Sequence, residues 1–588
     1  MAVITVCETG KTETGFDATL IIEGNSYAIA VSEPFDTKQE QELEWYFENW
    51  MDYPMLDNIK ADRAKDSVRE YGEELFWQVF QSNSEAYRKY SDLKQNLSQL
   101  TIEIVSINPE FQAIHWEALR DPESTHPLAI DTILIRKSIQ PKKAEVKIKK
   151  SPTINLLVVV ARPKADRDIG HRTISRPLVE TIRNAKLRVN IEILRPGTYE
   201  ALVKHLEAKG NGYYHIVHFD VHGSLQNYET YQERLEIGMY LESRYGREEI
   251  KEYDGFKAFL ALEGEEIGEY DPVEASEIAN LLTSKDIPVC ILNACQSGKQ
   301  LNQAEIEDNR ETSLGNRFLN AGMQMVVAMS YSVTVTAAEI MMQQLYEHLF
   351  DQRDINQAIL LGRKELYNCK ARKAAYNTEI DLEDWLLPVI YSNGEVTFNL
   401  REFTPEETVE YDLNLASKYK FVEPNYGFVG RDIDILLIDK ALLQHNILLL
   451  QGMGGTGKTT LLNYLREWWE VTKFAEDTFY FAYDKRAYNL QQIIFEISKQ
   501  LYNQFYFERF QSKNISEQCQ EISIKLRNNS YILILDNLES ITGQSLAIKV
   551  LLSNLKDKSP KEVLERLEKV EIEPGGDDKE NNIIKCIE

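Results

Sequence analysis

Apolar positions along the chain fall into two rhythms. From residue 154 onward, short β-branched runs alternate with helical stretches: INLLVVVARP, PLVETIRNAK, RVNIEILRP, TYEALVKHLEA, YYHIVHFDVHG, PVCILNAC, MQMVVAMSYSV, AEIMMQQLYEHLF, INQAILLGRKEL and LLPVIYS. These runs lack the strict alternation of a half-exposed strand, so they predict strands buried on both faces and a mostly parallel sheet flanked by helices over 151–400. The first 150 residues are more mixed. GFDATLIIEGNSYAIAVSEP at 15–34 reads as two strands about a Gly24-Asn25 hairpin turn. Helical patterns at about 37–50 and 61–82, then LTIEIVSI, FQAIHWEALRDPE and PLAIDTILIRKSI, complete a small α/β lobe.

Residues 401–425 carry no sustained apolar period and read as a linker. A further α/β unit is expected over 426–555, with NILLLQ, FYFAYD and YILILD as strands. The charged, Gly/Asp/Asn-rich stretch 556–588 is expected to fray.

At 588 residues the chain is too long for one core. Its 66 basic against 93 acidic residues give a net charge of −27, which repels nucleic acid and anionic lipid, so neither is expected as a partner. The lysines between 137 and 150 (Lys142, Lys143, Lys147, Lys149, Lys150) lack interleaved aromatics and read as a solvated connector. The six cysteines form no CxxC pair and have no histidine at metal spacing, which fits a reducing compartment without a zinc site or disulfide framework. No secretory leader and no apolar run of about 18 residues is present, so a cytoplasmic protein is expected.

Two stretches carry chemistry. CILNACQSG at 290–298 is an apolar strand that reaches Cys295 just before Ser297 and Gly298. In YYHIVHFDVHGSL the strand is expected to end at His222, with Gly223 supplying a turn. Parallel strands present their carboxyl ends on one edge of the sheet, where active sites assemble. An imidazole there can take the proton of a thiol and later return it to a leaving amine. Backbone amides at Gly223 and Cys295 are candidates for an oxyanion hole. Asp220 shares a strand face with His218 and His222, and reads equally as an orienting or pocket-lining acid, for a basic P1 side chain, or as a buried structural carboxylate. The remaining histidines, among them His115, His205, His215, His218 and His348, read as packing residues.

HFDVHG and NACQSG, with IHWEALRD at 114–121, LLVVVARP at 156–163, VVAMSYSVTVTAAEI at 326–340 and DWLLPVIYS at 384–392, resemble caspase-fold cysteine proteases of the CHAT family over roughly 100–400. The resemblance implies Cys295 as nucleophile, His222 as general base and acid, a protein substrate, and no cofactor for the peptidase. Related peptidases often carry an acid two residues before the cysteine. Asn293 stands there in this chain, which leaves the P1 preference open.

GMGGTGKT at 452–459 fits G-x-x-x-x-G-K-[ST] between a strand and a helix. Gly452, Gly454, Gly455 and Gly457 let amides cradle phosphates, Lys458 meets the β and γ phosphates, Thr459 ligates magnesium, and Thr460 is a further nucleotide-binding candidate. Asp536, ending YILILD, suits a Walker B carboxylate in the magnesium shell. Glu539 reads either as a water-positioning residue or as an exposed loop acid.

With GFVGRD at 427–432 and LDNLE, this unit resembles STAND-type ATPases of the NB-ARC kind. That resemblance implies ATP or ADP with Mg²⁺ and places Val429, Gly430 and Arg431 near the nucleotide. After Asp536 no strand ending in a sensor arginine follows, so an incomplete unit working in assembly is expected. The combined expectation is a cysteine endopeptidase regulated by a nucleotide-binding unit, with self-assembly or a signalling partner, in bacterial defence or cell-death signalling. The alternative is a non-catalytic, nucleotide-dependent scaffold.

Overall fold

The structure, a computed structural model, describes residues 2–139, 146–163, 175–184, 187–255, 257–264, 268–295, 311–331, 333–350, 354–396, 398–415, 419–425, 427–428, 430–527, 529–538, 547–553 and 584–586. Two compact units are present, Met1–Thr404 and Pro405–Glu588.

The first unit is built on one 13-stranded sheet. Its strands are β1 (Ala2–Lys11), β2 (Phe16–Ile22), β3 (Asn25–Val31), β4 (Leu100–Val105), β5 (Ile133–Lys137), β6 (Ile154–Val160), β7 (Val189–Leu194), β8 (Ile216–Gln226), β9 (Lys257–Glu263), β10 (Tyr270–Glu274), β11 (Val289–Cys295) and β12 (Met325–Met329). A separate hairpin, β13 (Ala371–Ala374) and β14 (Thr378–Asp381), precedes the last sheet strand, β15 (Pro388–Ser392). The order is β10-β9-β8-β11-β12-β15-β5-β4-β1-β2-β3, with β6 and β7 branching from β8. Strands β7, β6, β8, β11 and β12 form one parallel block, and β15, β5, β4 and β1 form a second. The antiparallel pair β12–β15 joins the two. The sheet therefore continues from the first 150 residues into the later segment.

Every residue of β6, β12 and β15 is buried, as expected of strands covered on both faces. One face of the parallel block packs Leu157, Val159, Phe219 and Leu292 against Leu202, Ile278 and Phe318 from helices. Burial of each such side chain contributes about 1.5–3 kcal/mol. On the other face, Met341 and Met342 of helix Val335–Phe350 line a small cavity together with His218 and Asn293.

Close approach of backbone matters at one glycine in particular. Gly72, on helix Asn58–Phe76, would carry a Cβ only 1.9 Å from the Ala118 carbonyl oxygen. Its own carbonyl accepts the Arg120 amide at 3.1 Å. Gly72→Ala is expected to lower stability by about 1–3 kcal/mol, the usual cost of overpacking. A drop in the denaturation midpoint at unchanged m checks this.

The second unit has a five-stranded sheet in the order β17-β18-β19-β16-β20, from β16 (Ile447–Gly452), β17 (Asp477–Ala482), β18 (Tyr531–Asp536), β19 (Ala547–Ser553) and β20 (Ile584–Cys586). The stretch read as a linker contains a helix, Pro405–Leu415. Proline at its first position and Glu406 and Glu407 in its first turn suit a helix start, which a search for apolar period alone overlooks. The tail expected to fray lies outside the described residues apart from β20.

Candidate active site

Strands β8 and β11 are parallel neighbours, with Ile291 opposite His218, Asn293 opposite Asp220 and Cys295 opposite His222. Alternate residues of a strand belong to one face, so positions 218, 220, 222, 291, 293 and 295 share a face of the sheet. Positions 222 and 295 are thus one strand spacing apart, about 4.8 Å between backbones.

His222 is also where β8 changes neighbours. Up to Asp220 it pairs in parallel with β6, and from His222 to Gln226 it pairs antiparallel with β9. The expectation that the strand stops at His222 is therefore corrected: Gly223 lies within β8, opposite Leu260, and makes no turn. Glycine is a poor strand former, but Lys257–Glu263, distant in sequence, supplies an edge that holds the extended backbone. On the other side β11 ends at Cys295. Ser297 and Gly298, the expected turn, lie outside the described residues.

Asp220 is buried, and its carboxylate accepts from the Arg162 guanidinium at 2.7 Å. The same guanidinium donates to the carbonyls of Asp220 and Ala161, tying the end of β6 to β8. Arg162 was not singled out from the sequence, although a cation directly after the six apolar residues Leu156–Ala161 is the signal that could have found it.

His218 is buried, and among the described residues neither ring nitrogen has a hydrogen-bond partner. Burial holds its pKa down at about 4, so it is neutral near pH 7. The other histidines read as packing residues do find partners. His215 accepts from the Asn155 amide and meets the Phe398 carbonyl, His205 meets Tyr214, His115 meets Glu40, and His348 meets Gln344.

In the second unit, helix Lys458–Val471 begins directly after the glycine-rich loop. Gly455 and Gly457 adopt φ of 82° and 83°, a region that favours glycine. The Lys458 ammonium donates to the carbonyls of Gly452 and Met453 at 2.6 and 2.7 Å, and Arg431 donates to the Thr456 carbonyl. Arg431 thus reaches the phosphate loop itself. Gly430 precedes it at φ 73°. Asp536 is fully buried at the end of β18, and the Tyr480 hydroxyl donates to its carboxylate. Burial and that carboxylate push the Tyr480 hydroxyl's pKa up. Val429 and Glu539 lie outside the described residues. Open glycine backbone, a lysine at the helix start and a buried carboxylate at a strand end fit a nucleotide phosphate with its cation.

A family model described as CHAT domain matches residues 69–399. The chain belongs to the CHAT family. An NB-ARC domain model matches residues 433–572, so a nucleotide-binding domain follows the CHAT domain. No curated protein matches the chain. Among solved structures, separase in the Saccharomyces cerevisiae separase–securin complex aligns at 12% identity and TM-score 0.33, covering 66% of this chain and 30% of that one. The Arg-specific cysteine proteinase gingipain R aligns at 11% identity and TM-score 0.27, covering 56% of this chain and 75% of that one.

The CHAT domain thus carries two register-paired positions, a cysteine and a histidine, at the place where the parallel block gives way to β9. Among the described residues there is no group of three or more His, Cys, Asp or Glu able to hold a metal ion. Nor is any helix there long and apolar enough to cross a membrane.

Proposed function

We propose that the CHAT domain is a cysteine endopeptidase. His222 takes the Cys295 thiol proton, and the thiolate adds to the scissile carbonyl of a protein substrate. The imidazolium then gives its proton to the departing amine as the C–N bond breaks, leaving a thioester. Water, deprotonated by the same imidazole, releases the acid product. Amides of Gly223 and Cys295 are the candidate donors to the oxyanion. The observation that carries this reading is the register of β8 and β11, which sets Cys295 opposite His222. Asp220 acts through Arg162, holding the β6 end against β8, and not as an acid for a basic P1 side chain.

The NB-ARC domain is proposed to regulate this activity, with self-assembly or a signalling partner, in a cytoplasmic defence or cell-death response. Lys458 and the amides of Gly452, Gly454, Gly455 and Gly457 would hold the phosphates of ATP or ADP, with Thr459 and Asp536 toward Mg²⁺, Thr460 in the helix start and Arg431 beside the loop. Val429 and Gly430 are further candidates from the family resemblance, and Glu539 is a candidate for positioning the attacking water. A bound nucleotide would supply phosphate charge to draw Lys458 off the loop carbonyls. Coupling then requires a loop arrangement that differs between the two states.

Two experiments test these proposals. Expression of wild type, but not Cys295→Ala, is expected to generate new protein termini in a proteome-wide survey; identical termini in both would remove the peptidase reading. Lys458→Ala is expected to weaken ATP binding at least tenfold by calorimetry, and equal affinity would make the loop irrelevant to nucleotide.

A further inference from the structure

On the side of β8 away from β11, two strands meet end to end. β6 pairs with β8 in parallel as far as Val160, opposite Asp220. β9 pairs with it antiparallel, from Lys257 opposite Gln226 to Ala261 opposite His222. Both strands therefore aim their carboxyl ends at the gap beside Val221, and β8 runs past that gap from one neighbour to the next. A ladder fixes a strand only where a neighbour lies alongside. Among the described strands, β9 is the one that holds His222 on this side.

Three buried side chains close the gap. Glu263, the last residue of β9, accepts from the Arg162 amide at 3.1 Å through one carboxylate oxygen and from the Gly197 amide at 3.4 Å through the other. Its own amide donates to the Gly197 carbonyl at 3.0 Å. Gly197, in the turn between β7 and helix Tyr199–Lys209, packs so close to the Val160 carbonyl that a Cβ would overlap it. The Arg162 guanidinium in turn holds the carboxylate and carbonyl of Asp220. Glu263, Arg162 and Asp220 are only 3, 4 and 2% exposed.

These ties act on different strands. The Arg162–Asp220 pair reinforces β8 where the β6 ladder already holds it. Glu263 anchors β9, whose ladder carries His222 itself. Removing the Glu263 carboxylate takes away a buried acceptor from two amides and leaves the end of β9 free to shift along β8. Misplacement by about 1 Å of a base relative to its nucleophile can lower a rate on the order of 10²-fold.

We propose that Glu263 is a positioning residue for the thiol–imidazole pair. By pinning the end of β9 to the end of β6 and to the turn after β7, it sets the backbone from which His222 is presented beside Cys295. The proposal rests on the peptidase reading and adds a residue to that same site.

The test follows alkylation of Cys295 by iodoacetamide against pH, read by peptide mapping in the full chain, at a temperature where circular dichroism shows each variant folded. Wild type, His222→Ala, Glu263→Ala, Glu263→Gln and Gly72→Ala are compared, the last as a control for lost stability alone. Near pH 6.5, Glu263→Ala is expected to react at least threefold slower than wild type, its profile displaced toward that of His222→Ala. Glu263→Gln keeps one acceptor oxygen but sets an amide N–H against the other donor, so it should fall between the two. Gly72→Ala should keep the wild-type profile. Should Glu263→Ala not fold, Glu263→Gln alone decides. A wild-type profile in the folded Glu263 variants, or an equal displacement in Gly72→Ala, overturns the positioning role and leaves the peptidase reading standing. Coincident profiles of wild type and His222→Ala remove both.

Discussion

Cys295→Ala is expected to lower peptide-bond cleavage by on the order of 10⁴-fold or more, because the proposed acyl intermediate forms on its sulfur. His222→Ala should cost less. A thiol with an ordinary pKa near 8.5 is still a few per cent thiolate at pH 7, so some attack survives, while the leaving amine loses its proton donor. A loss on the order of 10²–10⁴-fold follows, expressed in kcat more than in KM. The double variant should match Cys295→Ala alone, since the two residues act as one unit. Steady-state rates on a substrate recovered from the survey of new termini measure all three. Additive losses in the double variant would mean that the residues act separately.

The second large effect concerns stability. Arg372 and Asp384 are both fully buried and bonded to each other through two hydrogen bonds, and Arg372 also donates to the carbonyls of Ala371 and Leu366. Arg372→Met leaves Asp384 as a lone carboxylate in the core, and breaking such a pair costs about 3–5 kcal/mol. Burial already pushes Asp384 up to about 6 in the presence of its partner. A carboxyl whose folded pKa lies above the unfolded value binds more protons when folded, so its contribution to stability falls as pH rises. The penalty of Arg372→Met is therefore expected to be smaller at pH 5 than at pH 8. Arg372→Met combined with Asp384→Leu should recover much of the loss, because no charge is then buried. Denaturation midpoints at the two pH values read these outcomes, and a pH-independent penalty would show that the buried charge is not its cause.

Much of the CHAT sheet was legible because its strands are apolar on both faces. INLLVVV, VCILNAC and MVVAM announce themselves by composition, and a parallel block follows from them. The strand β9, KAFLALE, hides among charged residues between two loops, and without it Gly223 looks like the end of β8. The helix Pro405–Leu415 went unread because its start is marked by proline and acids while its apolar period is weak.

At the site, Cys295 and His222 could be picked out singly from the chemistry of their neighbours, yet their pairing depends on register, which a sequence does not state. The partners of Asp220 and Asp384 were invisible for the same reason. Arg162 lies 58 residues before Asp220, and only the β6–β8 ladder brings it there. Arg372 reaches Asp384 across a short hairpin that the apolar pattern does not mark. His218 looked like any other strand histidine, since its lack of partners is a property of the packing around it.

The most direct test is the pH dependence of Cys295 alkylation by iodoacetamide in wild type and His222→Ala. The account predicts that near pH 6.5 wild type reacts at least tenfold faster than the variant, whose profile returns to that of an ordinary thiol with a midpoint near 8.5. Superimposable profiles would contradict it, because no proton would then pass between the residues that the β8–β11 register sets opposite each other.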